Sequence, residues 1–142
     1  AGNLLLMGQA GQYNFNRCIK RGDIAAAQLC IYEFVKGAMQ TIFLLNREYM
    51  PYYKWCFRGL KNLSKLNMLA DDLEFLISSG NTENEYEIKI AKIESICTSV
   101  ADELRSQCLT NLDNNEMEQL AYAINEIITD NNIRNLHILY GV

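Results

Sequence analysis

Residues 23–55, DIAAAQLCIYEFVKGAMQTIFLLNREYMPYYKW, decide the fold. Asp23 is a residue type that caps helices, because its carboxylate can accept a free backbone N–H of the first turn. A helix is expected over residues 24–47, and its stretch 24–45 is apolar on nearly every face, interrupted by Gln28, Glu33, Lys36 and Gln40. Those four fall at spacings of five, three and four, which lines them up as one polar stripe. A helix apolar on its remaining faces belongs at the centre of a bundle. Asn46, Arg47 and Glu48 read as a corner. Pro51 is expected in the first turn of a helix over residues 52–63, where its missing N–H goes unused. Trp55, Cys56, Gly59, Leu60 and Leu63 are the inward candidates of that helix.

Upstream, residues 3–20 predict a helix with Leu4, Met7, Gly11, Phe15, Cys18 and Ile19 towards one side. Gly8 and Gly11 each lower helix propensity by about 1 kcal/mol relative to Ala, and they allow a neighbouring backbone to approach closely. Arg17, Lys20 and Arg21 end this helix, Gly22 suits a left-handed C-cap, and the tight join makes the first two helices antiparallel. Downstream, Ser64 is the expected cap of a helix carrying Leu66, Leu69, Leu73, Leu76 and Ile77. Gly80-Asn81 marks a turn, and Thr82 with Glu85 forms a capping box. Tyr86, Ile90, Ile93, Cys97, Val100, Leu104 and Cys108 then recur as a near-heptad seam. Leu112-Asp113 with Glu116 and Met117 predicts a second capping box and staple, opening a helix with Leu120, Ala121, Ile124, Ile127 and Ile128. Asp130 should cap a last short helix with Ile133, Leu136 and Tyr140. The expected fold is all-α: an up-and-down helical bundle of five to seven helices, one domain over residues 1–142.

Composition narrows the class. A 49% hydrophobic and 21% charged chain is ordinary for a globular protein. No run approaches the roughly 18 uncharged apolar residues of a membrane span, and no basic segment precedes a short apolar core as in a signal peptide. The Ala-Gly start suggests a C-terminal piece of a longer chain. The five cysteines are odd in number and scattered, without a CxxC pair, and there is one histidine. That disfavours both a disulfide framework and zinc, and it fits reduced core thiols in a cytoplasmic protein. Net charge is −4, but residues 1–65 hold nine Lys/Arg against three Asp/Glu, while residues 66–142 hold four against fourteen. Such asymmetry marks either a partner or two halves that complement each other.

Catalytic motifs are absent: no G-x-G-x-x-G, GxxxxGK[ST], HExxH or GxSxG occurs. His137 lies in an apolar context without an adjacent acid to orient it. Asp71-Asp72 and Glu83, Glu85 and Glu87 point to diverging helix faces, so they read as solvated surface charge, and no metal site is expected. The stronger pattern pairs cations with aromatics: Arg47, Lys54 and Arg58 beside Tyr49, Tyr52, Tyr53 and Trp55. Arg17, Lys20 and Arg21 form a second basic group, giving either an elongated strip or two sites. Guanidinium and ammonium groups beside aromatic rings suit phosphates and stacked bases, whereas aromatics that are simply core would leave the cations snorkelling.

The segments YNFNRCIKRGDIAAAQLCIYEFVKGAM and FLLNREYMPYYKW resemble the C-terminal helical domain of an uncharacterised bacterial nucleotidyltransferase-like family, most specifically at LLNREYMPYYKW. The resemblance covers about residues 10–110. It implies a bundle similar to the substrate-binding domain of aminoglycoside nucleotidyltransferases, following an N-terminal nucleotidyltransferase-fold domain with a Gly-Ser motif and metal-binding aspartates. None of that catalytic domain is in this chain, so the resemblance implies an accessory substrate-binding domain that is not catalytic alone. Mg²⁺, a nucleoside triphosphate and a small-molecule acceptor would belong to the parent protein. The positions matching the motif are Tyr13, Asn14, Arg17, Asn46, Arg47, Tyr52, Tyr53, Lys54 and Trp55, as substrate-binding candidates. The alternative is a stand-alone interaction module that partners a small nucleotidyltransferase, or a homodimer through the Tyr86–Cys108 seam. In the ribonuclease version of such modules an Arg precedes a His by four to six residues. Arg134 and His137 are too close for that.

Overall fold

The computed structural model describes residues 1–142 as seven helices and no strand. The expected all-α bundle is what forms. The second helix, Ile24–Leu45, is its axis, touching the first, third, fourth and fifth helices. Ile31, Phe34, Val35, Ala38, Ile42 and Phe43 are buried around its circumference, while Gln28, Glu33, Lys36 and Gln40 lie half-buried along one stripe. Asp23 caps it by accepting the Ala26 N–H at 3.0 Å. Just before, Gly22 takes φ +72° while its N–H and that of Asp23 donate back to Ile19 and Cys18 carbonyls, a Schellman closure.

The first helix is continuous but not uniform. Gly2–Leu6 and Asn16–Lys20 are α-helical, and Met7–Phe15 between them takes the wider π winding, which nothing in the residue pattern signals. It lies against the second helix so closely that a Cβ on Gly11 would stand 2.3 Å from the Phe34 ring. A Cβ on Gly8 would stand 2.8 Å from the Glu118 backbone nitrogen of the sixth helix. The two glycines therefore set the depth of two helix contacts.

Several expected boundaries move. The third helix is a 3₁₀ turn at Tyr53–Trp55 followed by Cys56–Lys61, and residues 48–52 precede it in irregular conformation. Pro51 is thus outside the helix; its ring sits over Gly59. Trp55 points outwards at 53% exposure, against the inward reading, whereas Cys56, Leu60 and Leu63 are buried. The 3₁₀ start rotates the first turn, so the α-helical period counted from Pro51 assigns Trp55 to the wrong face. The fourth helix, Ala70–Ser78, follows a 3₁₀ turn at Asn67–Leu69 and has no side-chain cap. Ser64 instead donates to Asn46.

The fifth helix, Glu83–Ser106, opens where Glu85 reaches back to the Thr82 N–H (3.0 Å) and hydroxyl (2.7 Å). Those bonds hold the Glu85 carboxyl below its usual range. Ile93, Cys97, Val100 and Leu104 of the seam are buried in the chain's own core, leaving that part of the seam no free face. The sixth helix, Met117–Glu126, begins four residues after Asp113. Its opening N–H, on Met117, donates to Gln12 Oε1 at 2.9 Å, so the cap comes from the first helix across the bundle. Asp130 does cap Asn131–Arg134, but Ile133, Leu136 and Tyr140 are exposed. No helix is long and apolar enough to cross a membrane.

Candidate functional site

The cation–aromatic group gathers at the C-terminal end of the second helix. Helix termination there is a second Schellman closure: the Glu48 N–H donates to the Phe43 carbonyl (3.0 Å) and the Arg47 N–H to the Leu44 carbonyl (2.9 Å). Arg47 occupies the left-handed position with φ +60°, where glycine would be easier. A large cation held in that conformation costs about 1 kcal/mol. Its side chain meets no carboxylate.

Asn46, beside it, is not a free ligand. Its Nδ2 donates to the carbonyls of Ile42 (2.8 Å) and Lys65 (3.0 Å), and its Oδ1 accepts the Ser64 hydroxyl (3.1 Å) and the Lys65 N–H (2.9 Å). Two donors and two acceptor sites are all an amide offers. Asn46 is therefore a clamp between the helix end and the 64–65 segment. Asn46→Ala should cost about 2 kcal/mol, since net hydrogen-bond contributions run near 1 kcal/mol each and water can replace part of them. Urea unfolding measures this, and the Lys65 amide should lose hydrogen-exchange protection.

Beyond the corner the loop is open. Tyr49 is 93% exposed, and Tyr52, Tyr53 and Trp55 are all more than half exposed. The Tyr52 and Tyr53 rings sit 4.3 Å apart at 44°, and the Tyr53 hydroxyl bonded to it pushes the Tyr52 phenol above its usual pKa. Tyr53 also borders a groove of about 190 Å³ with Tyr32, Lys36, Met50 and Ile77.

Charge pairing separates this group from its neighbours. Lys61 bonds Glu74 at 2.9 Å and Lys65 bonds Glu103 at 2.8 Å, so part of the basic first half is neutralised by the acidic second half. Glu103 is held below the usual carboxylate range by Lys65 first and Gln107 second. Arg47, Lys54 and Arg58 make no such pair.

Tyr13, Asn14 and Arg17 are exposed but lie elsewhere. Arg17 donates to the Tyr13 hydroxyl and its guanidinium lies 4.6 Å from that ring's centroid, so the two occupy each other. Gly11 sits at the level of Phe34, and thirteen residues of helix separate Phe34 from Arg47, about 20 Å at 1.5 Å per residue. The basic residues form two separate groups.

Polar groups that sequence reading passed over lie beneath the corner: Asn3, Gln40 and Thr41. Gln40 was visible only as part of a stripe, and Asn3 and Thr41 carried no signal because their meeting depends on how the first two helices cross. No three His, Cys, Asp or Glu side chains converge on one point. His137 is exposed, its Nδ1 accepting only the Leu139 N–H at 3.3 Å.

No curated protein and no solved structure matches the chain. Residues 1–56 match a family model described as a domain of unknown function (DUF4037). The matched span contains the helical hairpin, the corner and all nine of the motif residues, and it stops one residue past Trp55.

Proposed function

We propose that the chain is the substrate-binding accessory domain of a nucleotidyltransferase-like protein whose catalytic domain is not in this chain. Its binding face is the segment from Arg47 to Arg58, the irregular residues after the second helix and the first turns of the third. The observation that carries this reading is the pairing of four exposed aromatics with three cations that have no carboxylate partner. Exposed rings and cations not tied up in ion pairs together match a ligand with a flat face and phosphate oxygens. Tyr52, Tyr53 and Trp55 would stack on the ligand, and Arg47 and Lys54 would meet its charge.

Trp55 is the sole tryptophan and lies in the loop, so its fluorescence reports on this surface directly. Titration with Mg–ATP should quench it saturably. Lys54→Ala should weaken the apparent affinity about tenfold, the size of one charge-assisted contact, without changing the melting temperature. A linear response to ATP, or equal affinity in Lys54→Ala, would overturn the assignment.

A second reading, an interaction module or homodimer, is favoured by a different surface. Ile24, Leu29 and Tyr32 leave an exposed apolar stripe along the second helix, Leu29 at 68% exposure. Size-exclusion chromatography with light scattering decides whether that stripe pairs two copies.

A further inference from the structure

Three buried polar side-chain atoms have no hydrogen-bond partner: Asn3 Oδ1, Gln40 Oε1 and Thr41 Oγ1. Asn3 borders one cavity with Gln40 and a second with Thr41. The Asn3 backbone packs on Gly37 of the second helix, and Gln40 and Thr41 follow one turn later. Buried polar atoms without a partner call for an explanation, and here all three border open space. Two cavities flank them, both bordered by Asn3 and Leu44. One, of about 260 Å³, extends past Gln40 to Tyr49 and Met50. The other, of about 310 Å³, is walled by Leu45, Leu104 and Ile124, with Ala1, Thr41, Gln107 and Arg47 also bordering it.

Thr41 is only 5% exposed, and its hydroxyl has not made the usual bond to a carbonyl one turn back. Arg47 borders the same cavity from its left-handed position, without an ion pair. Gln107 is already committed, donating to the Leu45 carbonyl at 2.8 Å and to Glu103. The cavity therefore offers an apolar wall, a free hydroxyl with a free amide oxygen, and an unpaired cation.

We infer that this cleft binds a small amphipathic carboxylate that also carries an ammonium or hydroxyl donor: an apolar amino acid or 2-hydroxy acid. The donor satisfies Asn3 Oδ1 and the Thr41 hydroxyl, the carboxylate pairs with Arg47, and the side chain packs on Leu45, Leu104 and Ile124. The site stands apart from the exposed loop, sharing only Arg47 with it.

The test is an amide-shift NMR titration of the protein with L-phenylalanine, run to about 10 mM because a ligand this small binds weakly. Phenethylamine lacks the carboxylate and 3-phenylpropionate the donor. Saturable shifts at the Asn3, Thr41 and Arg47 amides are expected, with each truncated analogue about tenfold weaker because it leaves a protein group unpaired. Thr41→Val, which keeps the shape and removes the hydroxyl, and Arg47→Gly, which also relieves the left-handed backbone, should each weaken binding about tenfold. Arg47→Gly should melt no lower than the parent, separating lost binding from lost folding. Trp55→Ala should leave this binding unchanged, so failure here and failure of the loop assignment are distinguishable. Absence of saturable shifts, equal binding by both variants, or equal binding of benzene would each overturn the inference.

Discussion

Gly11→Ala is expected to destabilise the protein by about 2 kcal/mol, although helix propensity alone predicts a gain of about 1 kcal/mol. Packing decides the sign. The new methyl would stand 2.3, 2.8 and 3.0 Å from Cδ2, Cε2 and Cγ of Phe34, contacts that real side chains do not make. Phe34 is fully buried on the central helix, so its ring has nowhere to swing without displacing other core residues. Overpacking of this kind typically costs 1–3 kcal/mol and sometimes more. For a chain of 142 residues that is a fall of roughly 6–8 °C in melting temperature. Phe34→Leu should rescue it: the double variant should be more stable than the two single losses added together, the coupling expected of residues in contact. A stabilised Gly11→Ala, as at an exposed helical glycine, would show that the two helices do not approach this closely.

The same contact shows what the residue pattern could reveal. Gly8 and Gly11 were legible as places for close approach because glycine inside a helix is unfavourable unless something else needs the space. The capping signals at Asp23, Gly22, Thr82–Glu85 and Asp130 were legible because each is a local bond between residues a few positions apart. Signals at Ser64 and Asp113 failed because long-range partners won: Ser64 joins Asn46, and Gln12 supplies the bond that starts the sixth helix. For the site, the grouping of aromatics and cations in residues 47–58 was legible from spacing, but their exposure was not, since Trp55 reads as inward by helical period. The Asn46 clamp was not legible, because a saturated amide and a free one are the same letter. Asn3 and Thr41 were unreadable, since a hydroxyl or amide becomes an orphan only through the exact crossing of two helices.

Lys89, on the fifth helix, carries the last prediction. It is fully buried, and no carboxylate lies within salt-bridge distance. Its ammonium donates to the Ser79 carbonyl (3.2 Å), at the end of the fourth helix, and to Asn81 Oδ1 (3.1 Å). Asn81 in turn donates to Gln28 at 3.0 Å, tying the 79–82 turn to the central helix. Lys89→Ala removes a buried four-carbon stem and leaves two acceptors unpaired. Even after crediting the relief of a buried charge, the loss should be about 3 kcal/mol. Lys89→Met keeps most of the stem, so its loss should be smaller, about 1 kcal/mol. Burial lowers the Lys89 pKa below 10.5, with the Glu85 carboxylate pulling weakly the other way. Between that lowered value and 10.5 the unfolded chain holds a proton that the folded chain has released, so stability rises with pH across that window. Lys89→Met lacks this gain, and urea unfolding of both proteins from neutral pH towards pH 10 should show the gap between them widening. A gap that stays flat would mean the ammonium is as well solvated inside the protein as outside. A Lys89→Met protein more stable than the parent at neutral pH would mean that the cost of burying the charge exceeds what its two hydrogen bonds return.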